Sequence, residues 1–314
     1  MELINLSDGS LNAPHLDKKG LKKLILLPDY SPSRGILPTG SVAIYDASKH
    51  TPDYRYLGSD IGCGMLLARI DSPLKDLEHT VDKIYLRLKA NIDGETSLGR
   101  GNHFINFYEV EESQDPSFQE NEQLVLIHSG SRLFGKRVYE EKLMGQEYID
   151  AHNQAVGNAT ENRKKLLAIL QQETNLGMIP LLDLPHNTIS IDNDEREIIY
   201  RKGSVHIASG EIAVISSHVG GKAAIVKAKP DIDEIEKSMC HGTGRKFSRS
   251  EAKKMIFDFE KLRNNIYIPK SITNKSMQTE APDCYRKLEA ILDRLLPYIE
   301  VTQSLRPLSY IGGL

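Results

Sequence analysis

Apolar residues along this chain recur with two periods. Short apolar or β-branched runs bounded by Gly, Pro, Lys or Asp predict buried strands over Leu24–Leu27, Ser41–Tyr45, Met65–Ile70, Phe104–Val110 and Leu124–Ile127. Leu74, Leu77, Val81, Ile84, Tyr85 and Leu88 follow helical spacing and predict a helix over Leu74–Ala90. Two further helices are expected over Lys136–Ala155 and Glu161–Gln172. From Ile189 to Lys227 the pattern is strand-like, with turns at Gly203, Gly210 and Gly220-Gly221. Ser248 with Glu251 three residues on is a capping-box signature that opens a helix. A long amphipathic helix is expected from Asp283 to Val301, with Leu288, Ile291, Leu292 and Leu295 on one face and Pro297 kinking or ending it. No repeat or low-complexity linker interrupts this order, so one mixed α+β domain spanning residues 1–314 is expected, with β-sheets and flanking helices.

Composition narrows the setting. With 314 residues, 39% hydrophobic and 26% charged, the chain has the profile of a globular protein with a substantial core. No run approaches the roughly 20 apolar residues of a membrane span. The first residues, Met1-Glu2-Leu3-Ile4-Asn5, lack the basic and apolar regions of a signal peptide. The three cysteines, Cys63, Cys240 and Cys284, cannot all pair, so a reducing, cytoplasmic location is expected. A net charge of −3 gives no global nucleic-acid footprint, which leaves that role to a local basic groove. With no tryptophan, base stacking would fall to Tyr, Phe or Arg.

The candidate chemistry lies in five scattered polar motifs, most of them beside glycines. They are Asp60-Ile61-Gly62-Cys63-Gly64, Gly101-Asn102-His103-Phe104, His128-Ser129-Gly130-Ser131-Arg132, His186-Asn187 and Cys240-His241-Gly242-Thr243-Gly244-Arg245. A lone buried Cys or strand-end His is more often structural than a ligand. Together, though, Asp60, Cys63, His103, His128 and His186 supply a donor set that could hold two divalent ions, with a thiolate able to bridge them. The donor types do not name the metal. His241 sits in a glycine-rich loop with Arg245, Lys246 and Arg249 close by and a predicted helix start at Ser248. It reads equally as one donor of an anion-binding loop or as a nucleophile toward phosphorus. His15, His50, His79 and His152 are expected at the surface, and His206 and His218 on the strand-rich segment. Lys164-Lys165 and Lys253-Lys254 are expected on solvated helix faces, and Cys240 and Cys284 as packed thiols.

These motifs, in this order, resemble the RtcB family of RNA-splicing ligases from about Lys23 to Gly313. Pro28-Asp29, Asn162-Arg163, Arg201-Lys202-Gly203, the run Ser248 to Lys253 and Glu280-Ala281-Pro282 extend the match. The resemblance implies an RtcB-like fold around a central metal site. It also implies an enzyme that joins RNA 2′,3′-cyclic phosphate or 3′-phosphate ends to 5′-hydroxyl ends with GTP and manganese (Mn2+). Asp60, Cys63 and His103 would hold one ion, and Cys63, His128 and His186 the second. His241 would accept GMP, with Asn102, Gly242, Gly244, Arg245 and Arg132 near the phosphates. RNA ends and a nucleoside triphosphate are the implied partners, and an activating protein partner is compatible with the resemblance. Whether the RNA is spliced tRNA or a cleaved RNA under repair is open.

Departures cluster at the nucleotide base. The C-terminal lysine that contacts guanine in the family is Gly312 here, and an acidic residue three after the motif histidine is Asn106. Ser216-Ser217-His218-Val219 replaces a Pro-Gly-Ser-Met segment, and Pro28-Asp29-Tyr30-Ser31 replaces Pro-Asp-Val-His. Weak guanine selectivity, a different nucleotide, or a substitute contact such as Lys222 is therefore expected. The alternative readings are a metal-dependent phosphodiesterase, phosphatase or nucleotidyltransferase on nucleic-acid ends, and a non-catalytic RNA-end-binding protein.

Overall fold

The computed structural model describes residues 1–9, 12, 14, 16–31, 33, 35–131, 133–192, 194 and 196–313. Strands β1 (Glu2–Asn5), β2 (Leu21–Ser31), β3 (Thr39–Asp46) and β4 (Gly64–Ile70) precede α1 (Leu77–Ala90), β5 (Phe104–Ser113) and β6 (Gln123–Ser129). Helices α2 (Leu133–Glu140) and α3 (Gly145–Thr174) lead into β7 (Met178–Pro185), β8 (Asn187–Asp192), β9 (Glu197–Lys202) and β10 (Ser204–His206). Next come β11 (Ile212–Ser216), β12 (Ala223–Ala228) and β13 (Ser238–Cys240). Short helices α4 (Arg249–Ala252), α5 (Phe259–Asn265) and α6 (Asn274–Met277) precede α7 (Leu288–Leu295), β14 (Ile299–Pro307) and β15 (Ile311–Gly312).

The strands form two main sheets. The larger has the order β11-β12-β14-β5-β6-β4-β7, with β15 also pairing β5; the smaller has the order β1-β2-β3-β9-β8. β1 and β2 run parallel, whereas β2 through β9 and the strands of the large sheet pair antiparallel. β4 is buried on both faces, and the strand period of two divides its side chains. Leu66, Ala68 and Ile70 pack toward α1 and α3, while Met65 and Leu67 pack toward Tyr108, Val214 and Leu305. β2 behaves likewise. Ile25 and Leu27 meet Val226 and Ile291, whereas Leu24 and Leu26 meet Tyr45 and Tyr148. His186 falls between β7 and β8, so the chain changes sheet at that residue.

Several elements depart from expectation, each for a tertiary reason. The two helices expected over Lys136–Ala155 and Glu161–Gln172 are instead α2 and one 30-residue α3. Residues Gly157, Asn158 and Thr160 are poor helix formers, but α3 runs through them because Ala155 and Ala159 seat the Gly62 turn. The expected helix from Asp283 shrinks to α7. Pro297 ends it, and Ile299–Pro307 becomes β14 between β12 and β5. Leu288, Ile291 and Leu295 do face the core. The Ser248 capping box forms, with the Ser248 N–H donating to Glu251 Oε2 at 2.7 Å, but its helix is a single turn. His50 and His152 are not surface residues. His50 stacks on Tyr45 with ring centroids 3.9 Å apart. His152 is buried and accepts the Ile189 N–H at 3.1 Å, which ties α3 to β8. His15 and Arg132 lie outside the described residues. No helix among the described residues is long and apolar enough to cross a membrane.

Candidate active site

The motif residues gather because each sits at a strand end. Cys63 precedes β4, His103 precedes β5, His128 lies one residue before the end of β6, His186 joins β7 to β8, and His241 follows β13. Cys63 Sγ lies 3.1 Å from His128 Nε2 and 3.4 Å from His103 Nε2, and the His128 and His186 Nε2 atoms are 3.4 Å apart. The donor atoms of Cys63, His128 and His186 all fall within 4.8 Å of one another, and all three residues are buried. Asp60 and His103 line the adjoining cavity but do not join a three-donor group at that spacing among the described residues. The structure thus brings together the expected second-ion set, and links His103 to it through the shared sulfur.

The chemistry of this set suits a cation. Burial, reinforced by the neighbouring histidines, holds the His128 and His186 imidazoles well below their usual pKa, so they are neutral and keep a lone pair for a metal. Burial and the Asp60 carboxylate push the Cys63 thiol up to about 12. A bound divalent ion reverses that preference by ligating the thiolate, with release of a proton.

Backbone ties fix the donors. His186 N–H donates to the Cys63 carbonyl at 2.8 Å, and the Gly62 N–H donates to the Asn187 carbonyl at 3.1 Å. Asn187 Nδ2 donates to the Asp60 carbonyl at 2.9 Å, while its Oδ1 accepts the Gly203 N–H at 2.7 Å. Arg163 on α3 is fully buried. It donates from Nη1 to the carbonyls of Gly62 (3.1 Å) and Ser129 (2.9 Å), and from Nε to Asp183 Oδ1 (2.6 Å). Its neighbour Asn162 donates to the Ser97 carbonyl (2.9 Å) and the Ser129 hydroxyl (3.1 Å). The five motifs do not include Arg163, although the resemblance carries Asn162-Arg163. The available signal is an arginine set within the buried stripe Ala155, Ala159, Leu166 and Leu170.

His241 stands beside this cluster, its ring centroid 4.2 Å from that of His186. Its Nδ1 is 2.8 Å from the Gly203 carbonyl and 3.2 Å from the Asp29 carboxylate, which is wholly buried. Asp29 lies outside the five motifs and entered the sequence reading only through the resemblance, as Pro28-Asp29. Gly244, at φ +67°, packs so closely on the Asp29 carbonyl that any Cβ would collide with it. Asp60, Asn102, His103, His128, His241, Gly242, Gly244 and Arg245 all line one cavity of about 610 Å³. The charge on its wall comes from arginines rather than from a helix end, since α4 has only one turn. Arg245 and Arg249 both approach the buried Glu280, with N···O distances of 3.5 Å. The amide of Asn106 is committed to the protein, accepting from the Tyr108 hydroxyl (3.0 Å) and donating to the Ile105 and Ser309 carbonyls (3.1 and 3.3 Å). Lys222 does not line the cavity and pairs with Glu111 at 2.5 Å.

Two outcomes are expected. In metal-free protein, His128 and His186 remain neutral when folded but bind protons when unfolded below about pH 6.5. The unfolded state then binds more protons, so stability falls as the pH drops through 6.5. The slope is about 1.4 kcal/mol per pH unit per histidine. Thermal melts from pH 8 to 5 should be flat above about 7 and fall below it, and His128→Gln should shrink the dependence. Separately, Arg163→Met should destabilise the fold by about 3–5 kcal/mol by stranding the Asp183 carboxylate. It should also weaken cobalt binding, followed by the d–d absorption, by about 10–100-fold. Adding Asp183→Leu should recover melting temperature but not cobalt affinity, because the turns carrying Cys63 and His128 stay untied.

The chain is similar to known RNA-splicing ligases. The RNA-splicing ligase RtcB2 of Escherichia coli is 25% identical over 74% of this chain and 71% of its own length. The tRNA-splicing ligase RtcB of Nanoarchaeum equitans is 25% identical over 69% of this chain, and the RNA-splicing ligase RtcB of Escherichia coli K12 is 26% identical over 69%. The match spans 59% and 60% of the length of those two relatives, less than two thirds. A family model described as tRNA-splicing ligase RtcB matches residues 139–313, more than half of the chain, which therefore belongs to the RtcB family.

Proposed function

We propose that this chain is an RNA ligase joining 2′,3′-cyclic phosphate or 3′-phosphate ends to 5′-hydroxyl ends through a covalent histidine–nucleotide intermediate, with residues 1–314 acting as one unit. The observation that carries this reading is the environment of His241. Its Nδ1 faces the Gly203 carbonyl at 2.8 Å, an acceptor, so the proton resides on Nδ1 and Nε2 keeps its lone pair. Asp29, 3.2 Å from the same nitrogen, stabilises the positive charge that the ring gains when Nε2 forms a bond.

Nε2 attacks the α-phosphorus of GTP. An N–P bond forms, and the bond from that phosphorus to the pyrophosphate oxygen breaks. An oxygen of the RNA 3′-phosphate then attacks the same phosphorus, which breaks the N–P bond and frees His241. A cyclic end is first opened by water. Finally the 5′-hydroxyl attacks the RNA 3′-phosphorus, GMP departs, and the hydroxyl proton passes to solvent. Manganese held by Asp60, Cys63 and His103, and by Cys63, His128 and His186, would stabilise charge at the reacting phosphate. The position of the Cys63 sulfur between His103 and His128 supports that division. Asn102, Gly242, Gly244 and Arg245 line the cavity where the phosphates would lie. A cytoplasmic location suits a site whose thiol must stay reduced to bind metal.

Incubation with α-labelled GTP in manganese should label the protein covalently, and His241→Ala or chelation should abolish the label. Asp29→Asn should lower the labelling rate by about 10²–10⁴-fold with metal content unchanged, as removal of a carboxylate that orients a catalytic imidazole does. No label with any nucleotide, and no joining of cyclic-phosphate RNA to 5′-hydroxyl RNA by metal-loaded protein, would overturn the reading in favour of end binding or hydrolysis.

A further inference from the structure

One end of the cavity is built by the pairing of β15 with β5, in which Gly312 lies opposite Phe104. The strand period of two puts Phe104, Tyr310 and Gly312 on one face of this pair. Phe104 and Tyr310 both line the cavity, with ring centroids 6.3 Å apart, and the Phe104 ring is 5.3 Å from His128. A Cβ on Gly312 would collide with the Tyr310 hydroxyl and Cζ. The phenol therefore occupies the space that a side chain at 312 would fill. Tyr310 is 2% exposed, and among the described residues nothing hydrogen-bonds its hydroxyl. Several polar groups nearby are engaged, although Ser309 Oγ and, on the cavity wall, Thr243 Oγ1 and Arg245 Nη2 have no hydrogen-bond partner among the described residues. The Asn106 amide binds Tyr108 and two carbonyls, Glu280 accepts from Thr279 and Tyr285, and His218 Nδ1 meets the Val219 carbonyl at 2.8 Å.

We propose that Tyr310 is the specificity-determining residue of the base subsite, its hydroxyl contacting the 6-position edge of a purine and admitting adenine and guanine alike. This rests on the reading of the cavity as a nucleotide site. A phenol is both donor and acceptor. It can donate to the O6 of guanine or accept from the N6 amino group of adenine. A charged ammonium, which only donates, favours the first. Burial keeps the phenol neutral by raising its pKa, so it holds both roles across the working pH range. The aromatic end is one ring away from His128, which puts a base and the reacting phosphate of one nucleotide within a single cavity.

The test is calorimetric binding of the α,β-methylene analogues of GTP and ATP, which cannot transfer a nucleotidyl group, to manganese-loaded full-length protein. Wild type should bind the two within about tenfold of each other. Tyr310→Phe should weaken both by about three- to tenfold, the loss of one hydrogen bond. Gly312→Ala keeps the phenol but displaces it, and should act in the same direction. Melting temperature and cobalt spectra check that each variant is folded with its metal set intact. A preference above tenfold for either analogue, or unchanged binding in Tyr310→Phe, overturns the Tyr310 assignment while leaving the ligase reading intact. Binding of neither analogue, together with no His241-dependent label, removes the nucleotide site and both readings.

Discussion

A fully buried guanidinium is costly to desolvate, and Arg163 is tolerated in this interior because every direction of its planar fork meets an oxygen. The partners lie on segments that are remote in sequence. Gly62 precedes Cys63, Ser129 follows His128, and Asp183 lies three residues before His186. One side chain on α3 therefore sets the relative positions of the three segments whose donors converge. The pairing of β4 with β6 and β7 brings these segments to the same edge of the sheet, but strand pairing leaves the turns beyond the strand ends free to tilt. The arginine removes that freedom, and without it the thiol and the imidazoles would be neighbours without a common focus.

The second half of the site hangs on the smaller sheet. β9 delivers Gly203, whose N–H goes to Asn187 and whose carbonyl takes His241 Nδ1. Asn187 also holds the Asp60 carbonyl, so a single amide connects the turn carrying Cys63 to the strand that orients the nucleophile candidate. The placement of His186 at the change of sheet then has a physical reason. A residue shared by both sheets is the natural point at which a cluster held by one can face a ring held by the other. The neutral state of His128 and His186, the buried Asp29 carboxylate and the elevated Cys63 thiol are consequences of closing that junction against water.

Much of this was legible in the chain. The strands at Leu24, Ser41, Met65, Phe104 and Leu124, the Val81–Leu88 face of α1 and the Ser248 capping box are local patterns, and they form as read. Residues whose role depends on distant partners were not legible from local pattern. The Gly157–Thr160 stretch is a weak helix former on its own, and it is helical because the Gly62 turn packs against it. The apolar residues of β14 follow Pro297 too closely to be told from the end of a helix, and only pairing with β12 and β5 decides the matter. His152 looked polar and exposed because its partner, the Ile189 N–H, lies 37 residues away. Asp60, Cys63 and the histidines stood out by type and glycine context, whereas Arg163 and Asp29 entered only through the resemblance and acquire their meaning from the atoms they touch.

The two ends of the cavity differ in how firmly they are specified. Around Cys63, His128, His186 and His241, each donor is tied by backbone bonds, and a change in one tie propagates to the rest. At the aromatic end, the wall is a two-residue strand, β15, where one glycine decides where a tyrosine ring lies. None of the hydrogen bonds described above that tie the buried donors comes from β15, so on the proposed reading substitution there alters what the cavity accepts while those bonds stay in place. That separation lets the departures at Asn106, Gly312 and Ser216–Val219 coexist with an undisturbed donor set. On the proposed reading, selectivity for a base and the gathering of the buried donors rest on different elements of the fold.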